Sequence, residues 1–156
     1  MAIFMQRLAK LEGDKLANTY KPSDADYKKF KDVNRNSFGA DSILWMAKTG
    51  ITNGNPDGTF QGTQNLNRRD MAIFMHRFAT YMGVKDAIDF KPSEADYTKF
   101  KDVNKGDFGA PEILWMAKAG ITNGRTDGTF GCLDQLSRQD MAAFLHRLDN
   151  YIKSNR

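Results

Sequence analysis

Several residue types and patterns are scarce in this 156-residue chain. Cys132 is its only cysteine, so no internal disulfide can form and a cysteine-based zinc site is excluded. A cysteine-poor chain suits either a reducing compartment or export by a cell that does not rely on disulfides. No run is long and apolar enough to span a membrane, so no membrane insertion is expected. Blocks of basic residues are missing as well. The net charge is +4, but the lysines are scattered, as at Lys28, Lys29, Lys31, Lys99 and Lys101. That balance favours an anionic partner without indicating nucleic acid, and a solvated basic face is its plainest reading.

The chemistry of catalysis is also thin. The two histidines, His76 and His146, share one repeat position, and Gln6 replaces them in the first copy. There is no nucleophile–base pairing, Gly-rich phosphate loop or His-rich metal spacing. No enzyme, metal or cofactor is expected. The segment Asn53-Gly54-Asn55-Pro56-Asp57-Gly58 looks like a calcium loop, with oxygen side chains at positions 1, 3 and 5 and glycine at 6. Position 12 is Gln64 where a bidentate Glu is needed, and Arg125 takes position 3 in the second copy. Paired tight turns account for it better.

What the chain does have is repetition. Residues 1–70 align without a gap on 71–140, with about 43 of the 70 positions identical. A third, partial copy follows: MAIFMQRLA at Met1, MAIFMHRFA at Met71 and MAAFLHRLD at Met141. Each copy predicts an amphipathic helix. Met71, Phe74, Met75, Phe78 and Met82 form its stripe in one copy, Met141, Phe144, Leu145, Leu148 and Ile152 in another, and Met1, Phe4, Met5, Leu8 and Leu11 in the first. Asn67 and Ser137 cap two of these helices, with Asp70 and Asp140 three residues on, and Gly83 ends one. Three equivalent helices suggest a three-helix bundle with pseudo-threefold symmetry.

Within a unit, Ser93 is placed to cap a short helix reaching about Phe100. Phe100-Lys101-Asp102-Val103 then reads as an extended or turn segment. Pro111 suits the first turn of a helix carried from about Ala110 to Ala119, which Gly120 stops. Asn123-Gly124 and Asp127-Gly128 are turn signals with Phe130 as the anchor after them. The expected architecture is mostly α with little or no strand. It comprises a terminal helix at 1–16, full repeats at 30–83 and 100–153, and ordered linkers at 17–29 and 84–99, together one domain. Met1 opens on an amphipathic pattern, not on a signal peptide. The first helix starts past the place of its cap, so the chain is expected to be a fragment of a longer one.

These residues resemble a known family. Phe30-Lys31-Asp32-Val33, Ile43, Gly50-Ile51-Thr52-Asn53-Gly54, Asp57-Gly58-Thr59-Phe60, and Arg68 with Asp70 ahead of an amphipathic helix are similar to the S-layer homology (SLH) repeat. The second copy matches at Phe100, Asp102, Val103, Ile113, Gly120–Gly124, Asp127–Phe130, Arg138 and Asp140. The family's Thr-Arg-Ala-Glu motif reads Asn67-Arg68-Arg69-Asp70 and Ser137-Arg138-Gln139-Asp140. Phe38 and Phe108 stand where a Trp is usual, and Gly62 and Cys132 where a Pro is usual, which marks a divergent subgroup.

The resemblance implies an SLH-type pseudo-trimer: a central helix bundle with helix-loop lobes. It further implies a monomeric module at the bacterial cell wall that binds an anionic secondary cell-wall polysaccharide, of a kind often pyruvylated, and tethers a larger exported protein. The motif arginine is the principal contact it implies. Arg68 and Arg138 are therefore candidate glycan-binding residues, poised at capped helix starts to grip a carboxylate; the plainer reading pairs each with a nearby Asp that braces the loop. Trp45 and Trp115 are candidates to stack on a sugar, although core packing is the plainer reading beside Ile43, Leu44, Ile113 and Leu114. Asp32 and Asp102 are candidates to accept sugar hydroxyls, or else to cap the turn after Phe-Lys. Gly54 and Gly124 are candidates to line a groove through close backbone approach. The alternative function is a self-associating or protein-binding module without glycan affinity.

Overall fold

The computed structural model describes all residues from Met1 to Arg156. They form two compact units, Met1–Gln64 and Asn65–Arg156. Both are helical. There is no sheet, and the only β pairing is an isolated antiparallel bridge between Asn67 and Gln135.

The first unit contains α1 (Ala2–Leu11), α2 (Lys15–Thr19), a 3-10 turn at Asp26–Lys28 and α3 (Ala40–Lys48). α1 packs on α2 and α3. The helix expected over 1–16 ends at Leu11: Gly13 takes a left-handed φ of 80°, and Asp14 starts α2 afresh by accepting the Ala17 N–H at 2.6 Å. Its expected stripe also shifts. Phe4 and Leu11 are exposed, whereas Ala2, Met5, Leu8 and Ala9 are buried. Gln6 is buried too, because it donates to the Ala17 carbonyl and accepts from the Ser42 hydroxyl at 2.7 Å.

The second unit contains α4 (Arg68–Tyr81), α5 (Lys85–Ile88), a 3-10 turn at Asp96–Thr98, α6 (Ala110–Lys118) and α7 (Arg138–Asn155). α4 packs on α5, α6 and α7. Its stripe is buried at Met71, Met75, Phe78 and Met82, and that of α7 at Phe144, Leu148 and Ile152. The expected caps form: Asn67 accepts the Asp70 N–H at 2.7 Å, and Ser137 accepts the Asp140 N–H at 3.0 Å. Pro111 sits in the first turn of α6. The helix expected from Ser93 is only the single 3-10 turn, closed by reciprocal bonds between Ser93 and Asp96.

Each repeat ends in a turn loop anchored by two aromatics. Phe30 packs on Phe60, and Phe100 on Phe130, with ring centroids 5.6 Å apart in both. Gln61 takes a left-handed φ of 58°, the only non-glycine residue to do so, where the other copy has Gly131. For an L side chain that geometry costs about 1–2 kcal/mol.

Candidate functional site

The start of α4 organises the second unit. Arg68 and Arg69 donate their backbone N–H groups to the carbonyls of Asp134 and Cys132, both at 3.0 Å, and Leu136 N–H donates to Leu66 at 2.8 Å. The amides that would otherwise greet an anion at this helix end are thus already filled. The Arg68 side chain is enclosed with them. Its Nε donates to the Phe130 carbonyl at 2.7 Å, its Nη1 lies 3.3 Å from Asp140 Oδ2, and its guanidinium lies over the rings of Phe130 and Phe144. Burial lowers its pKa, and Asp140 opposes that shift. Arg68 is 6% exposed, and these contacts make it a brace of the fold. Arg138, at the same repeat position, is exposed and has no carboxylate partner.

The other candidates are mostly structural. Trp45 and Trp115 are 0% and 1% exposed, so neither offers a ring face to a sugar. Trp115 instead meets His76 and Tyr151 edge-on, and His76 directs its Nε2 to the Ala87 carbonyl at 2.9 Å. Asp32 accepts the N–H groups of Phe60 and Gln61 at 2.8 and 2.7 Å; Asp102 accepts those of Phe130 and Gly131 at 2.7 and 2.8 Å. They therefore do not cap the turn after Phe-Lys but pin a loop 28 residues on, with both carboxylate oxygens engaged. Burial raises the pKa of each, yet the backbone bonds outweigh it and the net shift is downward.

Gly54 and Gly124 lie beneath aromatic rings. A Cβ at either would overlap the ring of Phe30 or Phe100. Their close approach serves the chain's own phenylalanines. Asp57 commits its carboxylate to the Thr59 N–H at 2.9 Å and hydroxyl at 2.6 Å, and Asp127 repeats both bonds to Thr129.

Two residues outside the candidate set form an accessible pair. Phe108 is 66% exposed, and the Arg69 guanidinium lies 5.1 Å from its ring centroid. Gly109 makes room for that pair, since a Cβ there would fall 2.9 Å from Arg69 Cγ. Arg69 also reaches Asp70 at 3.3 Å. Sequence signals for this surface existed: Arg69 is a cation with Gln139 opposite it in the repeat, and Phe108 is an aromatic in the polar run 104–109. Phe38, its counterpart, is 91% exposed.

An S-layer protein of Bacillus thuringiensis subsp. finitimus is 30% identical over 139 residues, covering 88% of this chain and 16% of that protein. The S-layer protein sap of Bacillus anthracis gives the same identity and coverage. A cellulosome-anchoring protein of Acetivibrio thermocellus is 25% identical over 119 residues, covering 76% of this chain and 25% of that protein. The chain thus spans a quarter or less of the length of these relatives. No solved structure matches it. Residues 29–72 and 99–142 each match the model of the S-layer homology domain, and those two stretches make up more than half of the chain. With its repeats in the family's register and its helical, sheet-free fold, the chain belongs to the S-layer homology domain family, a family of modules associated with the bacterial cell wall and surface.

Proposed function

We propose that this chain is a non-catalytic module that anchors a larger exported protein to the cell wall by binding an anionic secondary cell-wall polysaccharide without a covalent bond. The observation that carries the reading is the Arg69–Phe108 pair. An exposed ring offers an apolar face to the C–H side of a sugar, and a guanidinium beside it can take a carboxylate through two parallel hydrogen bonds. A pyruvate ketal carries both groups on one residue. The similarity to an S-layer protein and to a cellulosome-anchoring protein supports anchoring as the role.

Pelleting with purified Gram-positive walls tests the reading. The chain is expected to pellet with intact walls and to stay in solution with walls stripped of secondary polymer. Phe108→Ala and Arg69→Gln are each expected to weaken retention by roughly tenfold, the scale of an interface anchor. Undiminished retention on stripped walls would overturn the proposal.

A further inference from the structure

The second unit holds a cavity of about 300 Å³ that the Arg69–Phe108 pair does not share. α4 and α6 both begin at that pair, and the cavity lies toward their other ends. Its walls come from the segment just after α4, from the second half of α6 and from α7. The fourteen residues of α4 are about 20 Å long, so the pair and the cavity are separate places.

The cavity brings together three kinds of group. Trp115 from α6 lines it and is buried, and its indole N–H, the one polar atom of that side chain, has no acceptor. A buried donor without a partner is costly, and an oxygen that reaches it recovers the cost. Charges of both signs stand around it. Asp89 and Lys91 are exposed and outside any ion pair, while Asp86 spends only its Oδ2, on the Tyr151 hydroxyl at 3.3 Å. Phe90 and Tyr151 are half-buried and supply apolar surface, with the Lys118 ammonium 5.4 Å from the Phe90 ring centroid. The carboxylates of Asp86 and Asp89 balance the ammonium groups of Lys91 and Lys118, so the lining carries no net charge. Its acidic edge belongs to the second copy of the repeat alone, because Leu16 and Thr19 hold the places of Asp86 and Asp89 in the first.

We propose that this cavity binds a neutral, N-acylated sugar residue, at a site separate from the one that takes an anionic polymer. The acyl oxygen accepts from the Trp115 N–H. The hydroxyls donate to the carboxylates and accept from the ammonium groups, and the C–H face lies on Phe90 and Tyr151. Acceptors and donors side by side suit neighbouring hydroxyls, each of which both donates and accepts. An acidic sugar would meet Asp86 and Asp89 as like charges, which favours the neutral one. The volume stands at the lower end for ligand pockets and takes one sugar residue rather than a chain.

Heteronuclear NMR on the full chain tests this, with N-acetylglucosamine as the probe and glucose as the control. Each of the two tryptophans gives one indole N–H signal, and sequential assignment identifies that of Trp115. N-Acetylglucosamine is expected to move the Trp115 signal downfield and saturably. Glucose is expected to bind about tenfold more weakly, the loss of one buried hydrogen bond. Asp89→Ala, a change at an exposed position, is expected to weaken N-acetylglucosamine binding by roughly tenfold as well. A Trp115 signal that N-acetylglucosamine leaves unmoved overturns the proposal. Equal binding of glucose overturns it too, as does an Asp89→Ala titration that matches the wild type. Phe108→Ala is expected to leave the titration unchanged; a titration that it abolishes puts the sugar at the Arg69–Phe108 pair and overturns the cavity as the site. Wall retention plays no part in this readout, so its failure is separate from any failure of anchoring.

Discussion

Arg68 and Asp140 stand 72 positions apart in sequence, and Arg68 Nη1 lies 3.3 Å from Asp140 Oδ2. The pair joins the starts of two successive repeat helices, α4 and α7, while the same guanidinium serves the buried end of the Phe130 loop. A residue that the family motif would offer to a ligand is here a brace between repeats.

Truncating it should be costly. Arg68→Ala leaves the Phe130 carbonyl without its donor and removes the cation lying over Phe130 and Phe144. A loss of about 2–4 kcal/mol is expected in urea unfolding. Arg138→Ala is expected to cost under about 0.5 kcal/mol, as exposed changes do. Equal costs at the two positions would mean that the brace contributes nothing.

The loop clamps predict an acid dependence. The Asp102 carboxyl is held below its ordinary value: burial opposes its ionisation, but the Phe130 and Gly131 N–H groups outweigh burial. A depressed folded pKa contributes stability that is fully present above the unfolded value, about 3.9, and is lost as pH falls through the lower folded value. Asp32 acts in the same direction. Urea midpoints should therefore fall steeply below about pH 4. Asp102→Asn should be less stable than the wild type at neutral pH, with the gap narrowing in acid. A gap that stays constant from neutral pH down to about pH 3 would rule out the clamp as its source.

Two kinds of glycine should separate by substitution. Gly50 and Gly120 have left-handed φ but open space where a Cβ would stand, so Ala at either is expected to cost about 1–2 kcal/mol in backbone strain alone. Gly54 and Gly124 add a clash, with a Cβ also 2.9 Å from the Thr59 or Thr129 carbonyl oxygen. Ala there is expected to cost about 2–5 kcal/mol. Thermal unfolding of the four variants gives the order; similar costs at all four would show that the loop yields to admit the methyl.

Much of this was legible in the residues because the signals are local. A cap such as Asn67 or Ser137 acts within one turn, on the amide three residues ahead, and a stop such as Gly120 acts on the residues just before it. The repeat register, the starts of α4, α6 and α7, the near-absence of strand and the family were all readable on that scale. The end of α1 was placed too late although its signals are local too: Gly13 and Asp14 turn the chain just past Leu11.

The candidate site divides along the same line. By itself, the sequence determined which residue types recur and at what spacing, and so nominated Arg68 and Arg138 as equals. Only the tertiary structure showed what Arg68 does, because its partners lie 62 and 72 residues away and seal it. Likewise only packing assigned Asp102 to a loop 28 residues distant, buried both tryptophans and left Phe108 in the open beside Arg69. The physical reason is that exposure and choice of partner depend on which distant segments close over a side chain, and a repeat copies its residues without copying its neighbours.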